Sequence, residues 1–252
     1  MSPSPIHALL LLSDSALPLG SFAFSAGLES HLSHAKQAHR PPPSLPLFLH
    51  HSLSNQASTQ LPFVLAGYRS PTSIADLDDT LDAATPCVVA RRASAAQGRA
   101  LAGLWTRALR SATSPSTNKE IVDAVDGYVA DLRSAQAPTH LAPLWGGVCA
   151  ALALDEWDAA YVFLLSHAKA VVSAGVRAGV MGPYQGQALL ASEEVRGWIE
   201  GFVRREMEGM RSAHDDNDDH DVHRVAHAGV SVPAMDLWMG RHELLYSRIF
   251  NS

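Results

Sequence analysis

Three histidines, His220, His223 and His227, stand at i, i+3 and i+7, a spacing that puts them on one helical face, and His214 lies close by among several aspartates. Imidazole suits nickel, copper and zinc, so the pattern invites a metal site. The surrounding stretch, Ser212 to Val230, is acidic and poor in apolar residues, so nothing in it frames the ligands, and tracts of this composition bind divalent ions weakly. It reads as a solvated, disordered linker. His31 and His34 share a face and His50 adjoins His51, but boundary histidines need no function. Serine, histidine and carboxylate residues all occur, yet there is no GxSxG elbow, P-loop, GxGxxG or HExxH. An enzyme using Glu29 and His31 would need a pocket between the first helices. Cys87 and Cys149 stand far apart without CxxC spacing, which indicates neither a disulfide framework nor a zinc site.

The elements that must position these residues begin with Leu9 to Glu29, LLLLSDSALPLGSFAFSAGLE. Asp14 and Ser15 break the apolar run by bonding to the backbone, and Pro18 with Gly20 forces a turn. Ser21 is placed to cap a following helix on which Phe24, Leu28 and Leu32 recur every four residues. Glu29 lies beside that stripe, either as an exposed flank residue or as one that contacts a partner.

Helical periodicity continues along the chain. Ser44 precedes a stripe of Leu45, Phe48, Leu49 and Leu53, with a second short helix from Pro62 to Tyr68 and a third opened by Ser73 and Asp76. A longer helix is expected from Pro86 to about Ala112, carrying Leu101, Leu104 and Trp105, with Arg91 to Gly98 as a polar interruption. Thr117 and Glu120 have capping-box spacing ahead of Ile121, Val125 and Val129. Gly146 and Gly147 sit inside a helical pattern at a propensity cost of about 1 kcal/mol each, which predicts the close crossing of a neighbouring backbone. Asp155 caps the next helix, which ends before Gly182-Pro183, and a further one carries Leu189 to Met210. The expectation is an all-α single bundle of about eight to ten helices over residues 1–211, an acidic His-rich linker over 212–232 and a C-terminal tail over 233–252.

A chain of 252 residues with 47% hydrophobic content can bury a substantial core, and a net charge of −6 offers no broad basic surface for nucleic acid. Ile6 to Leu12 is too short to span a membrane and lacks the preceding positive residues of a signal peptide, which points to the cytoplasm.

Several stretches together resemble one family. Ser13-Asp14-Ser15, Leu17 to Gly20, the aromatic at 22, Ser25 and Gly27-Leu28-Glu29 look like the N-terminal signature of the UreF urease accessory proteins. Arg91 to Gly98, His140 to Gly146, Val176 to Leu190, Pro233 to Asp236 and Arg241 to Ser252 resemble that family in order and spacing. The resemblance implies an all-helical, non-catalytic assembly factor for urease, dimeric within its complex. It would join a UreD/UreH-type partner to a UreG-type GTPase, so that nickel is delivered to apo-urease as GTP is hydrolysed. Nickel is then the delivered ion, and no tightly bound cofactor is implied. Carried onto this chain, the partner-binding residues would be Gly20, Phe22, Ser25 and Glu29 in the N-terminal signature, Gly182 and Gln187 at a turn between long helices, and Arg241, His242, Tyr246, Arg248 and Phe250 in the tail. Leu28 and Leu32 would face the core. Phe24 stands where many members carry His or Tyr, and the acidic His-rich insertion is outside the common pattern. The competing reading is a nickel-binding metallochaperone using the segment 214–227. For the tail, the expectation is that removing Pro233 to Ser252 leaves the bundle folded and abolishes partner binding.

Overall fold

The computed structural model describes residues 5–41, 44–113, 117–132, 138–212 and 225–251. Those residues are helical and contain no strand, and the helices number a few more than the eight to ten expected. In order they are α1 (Pro5–Ser13), α2 (Leu28–Gln37), α3 (Leu45–Thr59), α4 (Leu61–Arg69), α5 (Ile74–Ala84), α6 (Val88–Arg107), α7 (Lys119–Asp131), α8 (Leu141–Ala151), α9 (Glu156–Arg177), α10 (Pro183–Leu190), α11 (Glu193–Ser212) and α12 (Pro233–Arg241).

Two helices form the axis of the bundle. In α8, LAPLWGGVCAA, every residue from Ala142 to Ala151 is buried, because the sequence offers no polar side chain to turn outward. Gly67 and Gly146 let α4 and α8 cross backbone to backbone, the crossing expected at Gly146, whereas Gly147 faces the Ile74 and Val125 side chains. A Cβ on Gly146 would collide with the Val64 carbonyl and lie 2.6 Å from the Tyr68 nitrogen. The second axis is α9, whose Asp155 carboxylate accepts the Trp157 amide at 3.0 Å and so caps the first turn. By length and composition α9 is apolar enough to cross a membrane, but it is a core helix contacted by α1, α3, α4, α8, α10 and α11.

Several boundaries differ from the sequence expectation, each for a local reason. The helix after the N-terminal turn does not start at Ser21: a 3-10 turn over Ser21–Ala23 gives way to extended Phe24, and α2 starts only at Leu28. Phe24 is therefore not on a stripe with Leu28 and Leu32. Asn118, not Thr117, caps α7, its side-chain oxygen accepting the Glu120 amide at 3.0 Å. The helix begun at Val88 closes at Arg107 and continues only as a 3-10 turn. The segment after Pro183 divides into α10 and α11 at Ser192, whose hydroxyl accepts the Val195 amide.

The linker and tail also differ. His214, His220 and His223 lie outside the described residues. From Val225 onward the chain is packed: Val225 is buried, the Gly229 amide donates to the Ser58 carbonyl, and the Val232 amide donates to Asn55 on α3. Nor does the tail stand apart from the bundle. Helix α12 lies against α2, α3 and α6, burying Met235.

Candidate functional site

The two ends of the chain meet at α2. Asp14 accepts the Ala16 amide at 2.9 Å, closing the turn that follows α1, and Gly20 takes a left-handed φ of 72° that a residue with a Cβ resists. Ala26 and Gly27 also have positive φ, 52° and 83°, and so reverse the chain into α2. Gly27 is required twice. A Cβ there would lie 3.0 Å from the Met239 nitrogen and 3.1 Å from Trp238, because the backbone of α12 rests directly on the start of α2.

Glu29 sits in the first turn of α2, where a carboxylate complements the exposed amides of the helix. The Ser25 hydroxyl accepts its amide at 3.3 Å, so Ser25 anchors the same turn. The Glu29 carboxylate then gathers three donors from the tail: the Nε2–H of His242 at 2.8 Å, the Ile249 amide at 2.6 Å and the Phe250 amide at 3.1 Å. An acceptor opposite Nε2 requires the His242 proton on that nitrogen. The Asn251 amide donates to the Ala23 carbonyl at 2.8 Å and seats the end of the tail on the 3-10 turn. One carboxylate thus pins residues 242 and 249–250, and the chain between them forms a loop.

That loop has its own bracing. Arg248 donates to the Glu243 and Leu245 carbonyls at 2.8 and 3.3 Å, while the Glu243 carboxylate also meets Arg92 of α6. The two arginines hold the Glu243 carboxyl below its usual range, the hydrogen bond from Arg92 being the largest cause. Beneath the loop, Phe250 is buried with the Arg177 guanidinium 4.4 Å above its ring.

This geometry corrects several site assignments. Ser25, Glu29, His242 and Phe250 are buried within the chain, with Ser25 and His242 at 0% exposure, so their side chains hold the tail in place and do not themselves offer a surface. Glu29 is not the exposed flank residue that its position suggested, and its carboxylate is engaged within the chain. Phe22, Tyr246, Arg241 and Arg248 are exposed at the same end, Tyr246 completely. Gly20 shapes the turn beneath Phe22. Gly182, whose amide donates to Gln185, and exposed Gln187 belong to the α9–α10 turn and not to the Glu29 cluster. Of the proposed metal-binding histidines only His227 is described, 3.6 Å from Glu206. Among the described residues no three His, Cys, Asp or Glu side chains gather as a metal site. Gly27, Arg92 and Glu243 were not singled out as site residues, although each lies in a stretch that carries the resemblance.

A second feature lies inside the bundle. A cavity of about 240 Å³ is roofed by residues of the Leu12 to Ala26 stretch and lined by Asn55, Gln97, His167, Lys169 and Asp236. His167 bonds the Ser52 hydroxyl at 2.7 Å, and burial pushes its pKa down to about 4, so the imidazole is neutral at pH 7. His31, by contrast, packs between Phe48 and Trp238 and contributes to seating α12.

Comparison with known proteins agrees with the resemblance. The UreF family model matches residues 40–194. The chain is 36% identical to a UreF-like urease accessory protein of Schizosaccharomyces pombe over all of this chain and 99% of that protein. The chain belongs to the UreF family. Urease accessory protein F of Arabidopsis thaliana is 30% identical over 96% of this chain and 90% of its own, and urease accessory protein 6 of Cryptococcus neoformans var. grubii is 28% identical over 100% and 98%. In this UreF-family chain Glu29 joins two stretches that lie on either side of the span the family model matches.

Proposed function

We propose that this chain is a urease maturation scaffold, not itself a catalyst, that docks a UreD/UreH-type partner and links it to a UreG-type GTPase for delivery of nickel to apo-urease in the cytoplasm. The observation that carries this is the composite end of the molecule: Glu29 fastens the tail beside the N-terminal turn, and there Phe22 of the turn and Leu244, Tyr246 and Ile249 of the tail are exposed. Large apolar side chains left in water beside arginines have the composition of interface anchors. Nickel enters as cargo of the complex, and a homodimer is the expected state of the chain within it.

The test is co-purification with UreD/UreH-type and UreG-type proteins, followed by activation of apo-urease with nickel, bicarbonate and GTP. Dependence of activation on this chain is the expected result. Equal maturation without it would overturn the proposal.

A further inference from the structure

The exposed face around the tail differs in charge from the rest of the molecule. Leu237 and Arg241 are one turn apart on α12, and Val88 and Arg92 are one turn apart on α6, so each helix presents an apolar residue beside a guanidinium. The two helices pack together, so that a Cβ on Gly240 would lie 4.0 Å from the Cys87 sulfur, and Arg92 reaches Glu243 at the base of the loop. Phe22 joins this face through the Asn251 to Ala23 hydrogen bond. Among the described residues the guanidiniums of Arg92, Arg241 and Arg248 stand here with the Glu243 carboxylate, and that of Arg177 lies over Phe250, on a chain whose net charge is −6. Asp236, the one acid of α12, is half-buried and lines the cavity. Arg241 makes no ion pair among the described residues; its guanidinium lies 5.9 Å from the centre of the Trp238 ring.

We infer that the tail face recognises a partner surface in which carboxylates stand among apolar residues, with Arg241 as the residue that reads the acid. Glu243 already neutralises part of Arg92 and Arg248, whereas Arg241 is held by a ring, which fixes its position without satisfying its charge. A second copy of this acidic chain presenting the same basic face would place arginine against arginine, so the charge argues against self-association there. This rests on the docking role proposed above and adds to it the chemistry of the partner.

The test measures binding of the full chain to the UreD/UreH-type subunit across about 50 to 500 mM salt, for the natural sequence, Arg241→Glu, and Arg204→Glu on the distant, exposed face of α11. The expected result is affinity that falls with salt, is reduced at least about tenfold by Arg241→Glu, and is unchanged by Arg204→Glu. Circular dichroism melts confirm that the variants fold; Arg241→Gln, which keeps the length without charge, should fall between the two. A complex insensitive to salt and to Arg241→Glu would overturn this inference while leaving the docking role intact. Absence of any complex with the folded natural chain would overturn both. Self-association broken by Arg241→Glu would overturn the choice of partner.

Discussion

Replacing Glu29 by alanine should release the tail while leaving the bundle folded. The carboxylate accepts the His242 ring N–H and the Ile249 and Phe250 amides at 2.8, 2.6 and 3.1 Å. The Ile249 amide is only partly buried and can turn to water, but His242 and the Phe250 amide are buried and would lose their acceptor. A buried donor left alone costs about 1 to 3 kcal/mol, so the two cost about 2 to 6 kcal/mol. Against this stands the burial of Leu245 and Phe250, about 2 kcal/mol for each side chain. The two amounts are similar, so the tail in Glu29→Ala sits near the midpoint of attachment. Hydrogen exchange followed by mass spectrometry reads this directly. The Ile249, Phe250 and Asn251 amides should exchange at least about 30-fold faster, since about 2 kcal/mol corresponds to that ratio, while α8 and α9 keep their protection. Glu29→Gln retains one acceptor oxygen and should be intermediate. Unchanged protection of residues 249–251 in a folded Glu29→Ala protein would refute the clamp.

Gly146→Ala should destabilise by at least about 3 kcal/mol, because its Cβ would meet α4 backbone that cannot rotate away, whereas Gly103→Ala, with nothing within 4 Å, should stabilise by about 0.5 to 1 kcal/mol; urea unfolding compares them. His167, at a pKa of about 4 folded against 6.5 in the open chain, binds its proton more readily unfolded. Its contribution is complete above about pH 6.5 and is lost as the pH falls toward 4, by up to about 3 kcal/mol, so His167→Gln should flatten stability over that range in denaturant titrations. Asp78, its carboxyl raised mainly by burial, acts with the opposite sign, gaining stability as the pH falls, and is unchanged in that comparison. Deleting residues 233–252 should abolish partner binding and also lower the melting temperature by several degrees, because α12 covers the start of α2 and Met235 is core; an unchanged melt would count against that packing.

Much of the fold was legible because helix formation and burial both leave local traces. The stripes of α3, α7 and α9, the Asp155 cap and the glycines that announce the α4–α8 crossing are all readable within a few residues. The start of α2 was not, since it is set by two consecutive positive φ values, at Ala26 and Gly27, and by α12 lying against Gly27. The candidate site was legible only as a pair of motifs.

By itself the sequence determined the all-helical class, the glycine crossing and, through stretches spread along the chain, the family. Only the tertiary structure decided what Glu29 does. A glutamate in the first turn of a helix has no local reason to be buried, and its donors lie 213 to 221 positions away. No periodicity couples such distant residues; the coupling appears when α12 docks and the desolvated carboxylate must find hydrogen-bond donors, which the tail supplies. The same step turned His242 and Phe250 inward and left Tyr246 and Arg241 facing water.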